Sequence, residues 1–446
     1  MNLRQRRASR VWAALALMAA APTWAGSLLA PAGLPQFDDT ILVANDARYA
    51  PTVMVDPNLV NPWGIALRPP GIGGHIWLSN AGTGTTTTYI GDVGGKPLYQ
   101  DGLKVIPIQT GSGWDGQTPA QVTGQAYNAA SDIAGQPTEF FVSGPAADWR
   151  SGQPIPVGTV SGSAKFVFVT LDGTINAWRS GTNPGMTEAV VVKDMSGTFA
   201  QRQGLAYTPT LTGVAMTTDA YRTVNGQAVA DNRLFATDFA NNRVMVFDNQ
   251  WNDISHQVRF ERPAGLQDDF QPFNVQVLGG RVYVTYAGTD PHDELGEPIR
   301  AVGAGRVVAY DRDGHVLQDF DNEVPLNAPW GLAIAPSSWG ALAGKLLVGN
   351  FGDGSIAAFD TQTGAFVDFL RDSHGQVIHI DGLWGLTFGN GVALGDANAL
   401  YYAAGPRLEE DGLFGRLTVS AVPEPQTLVL MLAGSALLTG VRRRSA

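Results

Sequence analysis

Three short stretches decide how this chain is read: N-P-W-G-I-A at 61–66, A-P-W-G-L-A at 328–333 and G-L-W-G-L-T at 382–387. Each is an apolar run with tryptophan and glycine side by side, long enough for one buried strand and too short for a helix. Weaker copies stand between them: Q-V-T-G-Q-A at 121–126, R-Q-G-L-A-Y at 202–207 and P-F-N-V-Q-V at 272–277. The marker residues are Gly64, Gly124, Gly204, Asn274, Gly331 and Gly385, spaced 60, 80, 70, 57 and 54 residues apart.

A β-rich run, a tight turn and a second β-rich run follow the markers. Examples start at Ile76 (I-W-L-S-N-A-G-T-G-T-T-T-T-Y-I), Phe166 (F-V-F-V-T-L-D-G-T-I-N-A-W), Arg233 (R-L-F-A-T-D-F-A-N-N-R-V-M-V-F-D) and Lys345 (K-L-L-V-G-N-F-G-D-G-S-I-A-A-F-D). Asp172-Gly173, Asn241-Asn242 and Asp353-Gly354 are dipeptides that accept the positive φ of a hairpin turn. Strand-only repeats of this length, with one marker each, predict an all-β chain folded as a six-bladed β-propeller over 39–421. The strand 40–44 is expected to complete the last blade, leaving no open edge. Long polar insertions interrupt unit four at Asp290 to Gly305 and unit six between Ala403 and Gly415.

Composition fits this plan. The chain has 446 residues with 54 glycines, and only 15% are charged against a usual ~25%. At 44% hydrophobic it has ample material for a core. The net charge is −11, and seven of the 29 basic residues sit at the two ends, so without them the net falls to −18. So acidic a body repels phosphate backbones and argues against nucleic-acid binding. With no cysteine, disulfides, thiolate nucleophiles and cysteine-ligated zinc are excluded.

Both ends read as addresses rather than fold. Residues 1–25 have a basic start (Arg4 to Arg10), an apolar run from Val11 to Ala21 and a cleavage site at Thr-Trp-Ala, the plan of a signal peptide for the Sec translocon. Residues 26–38 are a linker. At the other end, Val422-Pro423-Glu424-Pro425 breaks any strand, an uncharged stretch runs from 427 to 441, and Arg442, Arg443 and Arg444 close the segment. Fifteen helical residues reach only ~22 Å of a ~30 Å hydrocarbon core, so the span is short and its basic end lies inside.

The Pro-Glu-Pro, the short span and the basic end over 422–446 together resemble the PEP-CTERM sorting signal of Gram-negative, exopolysaccharide-producing bacteria. That resemblance implies an exosortase-type transpeptidase as partner, with an inner-membrane precursor released to the cell envelope or extracellular matrix. The body, through D-P-N-L-V-N-P-W-G at 56–64, D-G-T-I-N-A-W at 172–178 and A-P-W-G-L-A at 328–333, looks like a family of exported bacterial propellers. More broadly it is similar to the TolB-like, NHL and gluconolactonase group. The resemblance implies a fold and leaves the activity open.

Propeller ligands usually enter at the mouth of the central channel. Residues expected near it are Asn61, Trp63, Arg202, Asn274, Trp330 and Trp384, with Asn80, Asp238 and Asn350 closing the second strands. Oxygens of Asn80, Asp238 and Asn350 could converge on calcium, or could simply bond strand-end amides. Gluconolactonase-like propellers hold a channel cation with glutamate, asparagine and aspartate, and no glutamate stands near Asn61 to match theirs. The loop T-D-P-H-D-E-L-G-E-P at 289–298 gathers Asp290, His292, Asp293, Glu294 and Glu297, either as a calcium loop or as a solvated insertion. His379 and Asp381 could reach the channel face. No G-x-S-x-G, H-E-x-x-H or P-loop motif occurs. Two functions follow: a surface binding protein, its partner an exopolysaccharide or another surface component, or an extracellular lactonase-like hydrolase with a channel calcium.

Overall fold

Runs of β-branched and aromatic residues between turn dipeptides become strands throughout the body. The computed structural model describes residues 33–420, apart from 72, 114–118, 133–136, 181–183, 198–199, 203–204, 291–296 and 321–325. The signal peptide 1–25, most of the linker and the whole sorting segment lie outside the described residues, including Val422 to Pro425 and Arg442 to Arg444. Among the described residues, no helix is long and apolar enough to cross a membrane.

Six main sheets succeed one another along the chain. They begin with the inner strands Pro62–Ala66, Val122–Tyr127, Leu211–Met216, Phe270–Leu278, Pro329–Ile334 and Leu383–Phe388. Each sheet then steps outward by antiparallel pairing, as in Pro62–Ala66 to Ile76–Asn80 to Thr85–Tyr89 to Val105–Pro107. The second strands Ile76–Asn80, Phe166–Thr170 and Leu346–Asn350 are buried at every residue, because a sheet covers each of their faces.

The markers show why the inner strands carry glycine. A Cβ on Gly64 would stand 2.9 Å from the Gln125 nitrogen and the Thr123 oxygen of the next inner strand, and one on Gly124 would stand 2.7 Å from the Val214 nitrogen. Added at Gly213, a Cβ would collide with Asn274; at Gly331 it would collide with the Trp384 carbonyl, and at Gly385 it would crowd the Trp63 carbonyl. Asn274 replaces the glycine in the fourth sheet, and its Nδ2 donates to the Trp330 carbonyl of the next inner strand at 2.7 Å. Each inner strand thus leans on its successor, and the sixth leans on the first. The ring is closed, which makes the fold a β-propeller.

The third marker is corrected by the structure. The copy at 202–207 is no inner strand: Leu205–Tyr207 pairs with Ala200–Arg202 as a separate two-stranded hairpin. The inner strand is Leu211–Met216, buried at every residue and paired with Arg233–Asp238. Its marker is Gly213, whereas Gly204 lies outside the described residues.

The chain also closes at the rim. Gln36–Ala44 pairs antiparallel with Leu413–Val419, from Phe37 opposite Val419 to Ala44 opposite Leu413. The strand expected at 40–44 does complete the last sheet, and it begins earlier, at Gln36. The two ends of the ring can now be told apart. On the upper face lie the starts of the inner strands and the turns from second to third strand; the remaining loops form the lower face.

Candidate functional site

Aromatic rings fill the upper end of the axis. Trp384 stacks on Trp63 with centroids 3.5 Å apart and on Phe351 at 3.9 Å, and Trp330 meets both indoles edge-on. Phe273, Phe239, Ala81, Ala287 and Ala328 complete the buried cluster. The indole N–H of Trp384 donates to Asn61 Oδ1 at 3.1 Å, and that of Trp330 to the Thr212 carbonyl at 3.0 Å. Trp63, Trp330 and Trp384 therefore cover one another's faces and form a plug.

Asn80, Asp238 and Asn350 occupy matching places, each opposite the first residue of its inner strand: Pro62, Leu211 and Pro329. All three are buried, and each serves its own hairpin. Asn80 Nδ2 donates to Thr85 and Thr87. The Asp238 carboxylate accepts from the Thr210 backbone, Asn241 and Arg243. Burial pushes its pKa up against the pull of Arg243. Asn350 Oδ1 accepts from the Asn327 backbone, and its Nδ2 donates to Ser355. Calcium needs six to eight oxygens, and with the Asp238 and Asn350 oxygens engaged in these bonds the three residues do not supply a fitting set. Among the described residues, no group of three His, Asp or Glu side chains could hold a metal ion.

The other candidates disperse. Arg202 sits on the separate hairpin, and nothing further is described of its side chain. His379 bonds the Asp353 carbonyl at 2.9 Å, while Asp381 accepts from the Arg407 backbone. In the 289–298 loop, His292, Asp293 and Glu294 lie outside the described residues.

Two features escaped the sequence. On the upper face, Glu409 is buried and accepts from Asn61 Nδ2 at 2.9 Å and from Arg300 at 3.3 Å. Burial raises its pKa to about 7, against the opposing pull of Arg300 and Asn61. Arg300 in turn lies over the Phe351 ring, 4.2 Å from its centroid. Glu409 ends three successive residues with left-handed φ of 57°, 57° and 70°, a costly backbone for side chains with a Cβ. Its signal in the sequence is only the unit-six insertion.

The second feature is a cleft of about 900 Å³ on the lower face. It lies between the first two sheets, where an inserted hairpin, Phe141–Asp148 with Ile155–Ser163, turns over towards the first sheet. Gly102 admits that turn, since a Cβ there would collide with the Trp149 carbonyl. Trp77, Phe166 and Trp178 line the cleft together with Trp149. At its edge Asp132 binds both Arg68 and Lys165 at 2.5 Å. Burial pushes the Asp132 carboxyl up, yet the hydrogen bonds from Arg68 and Lys165 outweigh this and hold its pKa below the usual range. His75 and Asp101 meet at 3.0 Å on the same wall.

No protein-family model matches the chain. An uncharacterized protein of Acanthamoeba polyphaga mimivirus is 28% identical over 381 residues, covering 84% of this chain and 78% of that protein. A second uncharacterized protein of the virus is 26% identical over 369 residues, 82% of each. Among solved structures, an alpha-L-arabinofuranosidase of Fusarium graminearum in complex with arabinobiose aligns over 86% of this chain and 98% of its own at 11% identity, with a TM-score of 0.43. A likeness that distant says nothing of the ligand, and the ring stands on its own strand pairing.

Proposed function

We propose that this chain is an exported six-bladed propeller that acts by binding, at the cell surface or in the extracellular matrix. In this reading the Sec translocon exports it, the 427–441 segment holds it in the inner membrane, and an exosortase-type transpeptidase cuts near 422–425. Its partner is then an exopolysaccharide or another surface component.

The observation that favours binding over hydrolysis is the plug. Where a lactonase needs an open mouth and a cation, Trp63, Trp384 and Phe351 stack without a gap. The Asp238 and Asn350 oxygens are engaged within their own blades, which leaves the three candidates short of a calcium shell. The test is elemental analysis of protein purified without chelator, alongside turnover assays on aliphatic and sugar lactones. The expected result is no stoichiometric calcium and no turnover. A bound calcium that supports lactone hydrolysis would overturn the reading in favour of the hydrolase.

A further inference from the structure

The two long insertions meet over the axis. Arg300, from the insertion in unit four, lies over Phe351, which stacks on Trp384, which stacks on Trp63. Glu409, from the insertion in unit six, accepts from Arg300 and from Asn61, and Asn61 Oδ1 in turn accepts the indole N–H of Trp384. One buried carboxylate therefore ties both insertions to the plug.

The turn that delivers Glu409 is strained between two fixed ends. The Gly405 N–H donates to the Gly382 carbonyl at 2.8 Å, and the Asp411 carbonyl accepts from the Asn61 N–H at 3.0 Å. Between them Arg407, Leu408 and Glu409 all have left-handed φ, which residues with a Cβ hold in succession only where other contacts compensate. The turn's own backbone bonds are long: 3.2 Å from Glu409 to Gly405, 3.4 Å from Glu410 to Arg407 and 3.3 Å from Asp411 to Pro406. Leu408 is exposed, so the inward anchor is Glu409.

The charges that bear on Glu409 come from the facing insertion. Burial, the largest influence, raises its pKa to about 7 from an ordinary 4.5; Arg300 opposes the rise and Glu297 adds to it. The charged groups of its own turn are engaged elsewhere. Arg407 pairs with Glu410 and Asp411, and its backbone N–H donates to Asp381. Asp411 also takes Tyr49, Asn45 and Arg48, and Arg48 is paired with Asp46. A carboxyl that leaves this place for water returns to its ordinary value and gives its proton to solvent. Release is thus favoured as pH rises.

We propose that residues 406–410 are a proton-operated latch over the axial plug, seated while Glu409 is protonated and released when it ionises. Release frees Arg300 from its acceptor and uncovers the outer face of Phe351, while the rings beneath stay stacked. The device goes beyond the binding function proposed above and holds whatever the partner is.

Amide hydrogen exchange of the purified protein at pH 5.5 and pH 8.5, read by mass spectrometry and divided by the intrinsic rate at each pH, tests it. Titration between 4.5 and about 7 corresponds to about a thirtyfold loss of protection over that interval. Residues 406–410 should lose about tenfold or more, and the inner strand Pro329–Ile334 far less. Glu409→Gln matches the side chain's shape but cannot ionise, and should keep the turn's protection within about twofold. Equal protection of the turn at both pH values in the parent would overturn the latch. So would a parallel loss in Pro329–Ile334, which would make the opening global. These two outcomes need no variant. An undiminished loss in Glu409→Gln would overturn it as well, by assigning the titration to another group.

Discussion

The indole rings of Trp63 and Trp384 stack with 16° between their planes, one from the first inner strand and one from the last. This contact lies at the axis, where the ring shuts, and Gly385 lets the Trp63 carbonyl come close beside it. At the rim, Gln36–Ala44 shuts the same ring through backbone pairing with Leu413–Val419. One closure is apolar packing and the other a ladder of hydrogen bonds, so the two respond differently to substitution.

Trp384→Ala removes a ring wedged between Trp63 and Phe351 and leaves a cavity no neighbour can fill. It should cost about 3–5 kcal/mol of stability in urea unfolding. Trp63→Ala should cost a similar amount, and the double variant less than the sum, because both lose the same contact. Strictly additive losses would show that the stack contributes nothing.

Gly331→Ala should destabilise by about 3 kcal/mol or more, since its methyl meets the Trp384 carbonyl, which is backbone and cannot turn aside. Gly73→Ala, with nothing within 4 Å, is the control and should leave the melting temperature nearly unchanged. Equal melting temperatures for the two variants would mean the inner strands are not in contact there.

Five of the six markers lie on inner strands: tryptophan beside glycine marks three of them, and a short β-prone run with glycine or asparagine at its centre marks the other two. The third could not be placed that way. R-Q-G-L-A-Y imitates the pattern a few residues ahead of L-T-G-V-A-M at 211–216, and only packing between Gly124 and Asn274 singles out the true inner strand. Asn80, Asp238 and Asn350 were found at equivalent places, but what they bond could not be read from the sequence: Thr85 and Thr87 for Asn80, Thr210, Asn241 and Arg243 for Asp238, and Asn327 and Ser355 for Asn350. Glu409 stayed hidden because its partner Asn61 is 348 residues away. The cleft stayed hidden because it depends on where the inserted hairpin turns.

Glu409 gives the fold a pH dependence of definite sign. Its folded pKa is about 7 against an ordinary 4.5. Between those values the unfolded chain releases a proton that the native state retains, so stability falls as pH rises through that window, by about 3 kcal/mol at most. Glu409→Gln cannot ionise and should lose most of this fall when melting temperatures at pH 5 and pH 8 are compared. His315, whose pKa is raised first by its hydrogen bond to Asp311, shifts stability in the same direction but is common to both proteins. An unchanged pH slope in the variant would show that Glu409 is ionised throughout.

The last prediction concerns the C-terminus. A proline has no N–H to give and disfavours helix in the residue before it, so on the proposed reading the sequence at 422–425 would suit entry into a transpeptidase cleft. The described fold ends at Ser420, whose backbone N–H donates to the Gln36 carbonyl at 2.8 Å. The Pro-Glu-Pro therefore begins three residues beyond the last described hydrogen bond of the sixth sheet. Cleavage there would remove Arg442, Arg443 and Arg444 and release a more acidic body without disturbing its ring. Mass spectrometry of protein recovered from the envelope or matrix should find chains ending near 422–425. Replacing Pro423, Glu424 and Pro425 together by alanine should leave uncut protein in the inner membrane, with the melting temperature of the body unchanged. Surface protein that still ends in Arg444-Ser445-Ala446 would show that the tail is not a sorting signal.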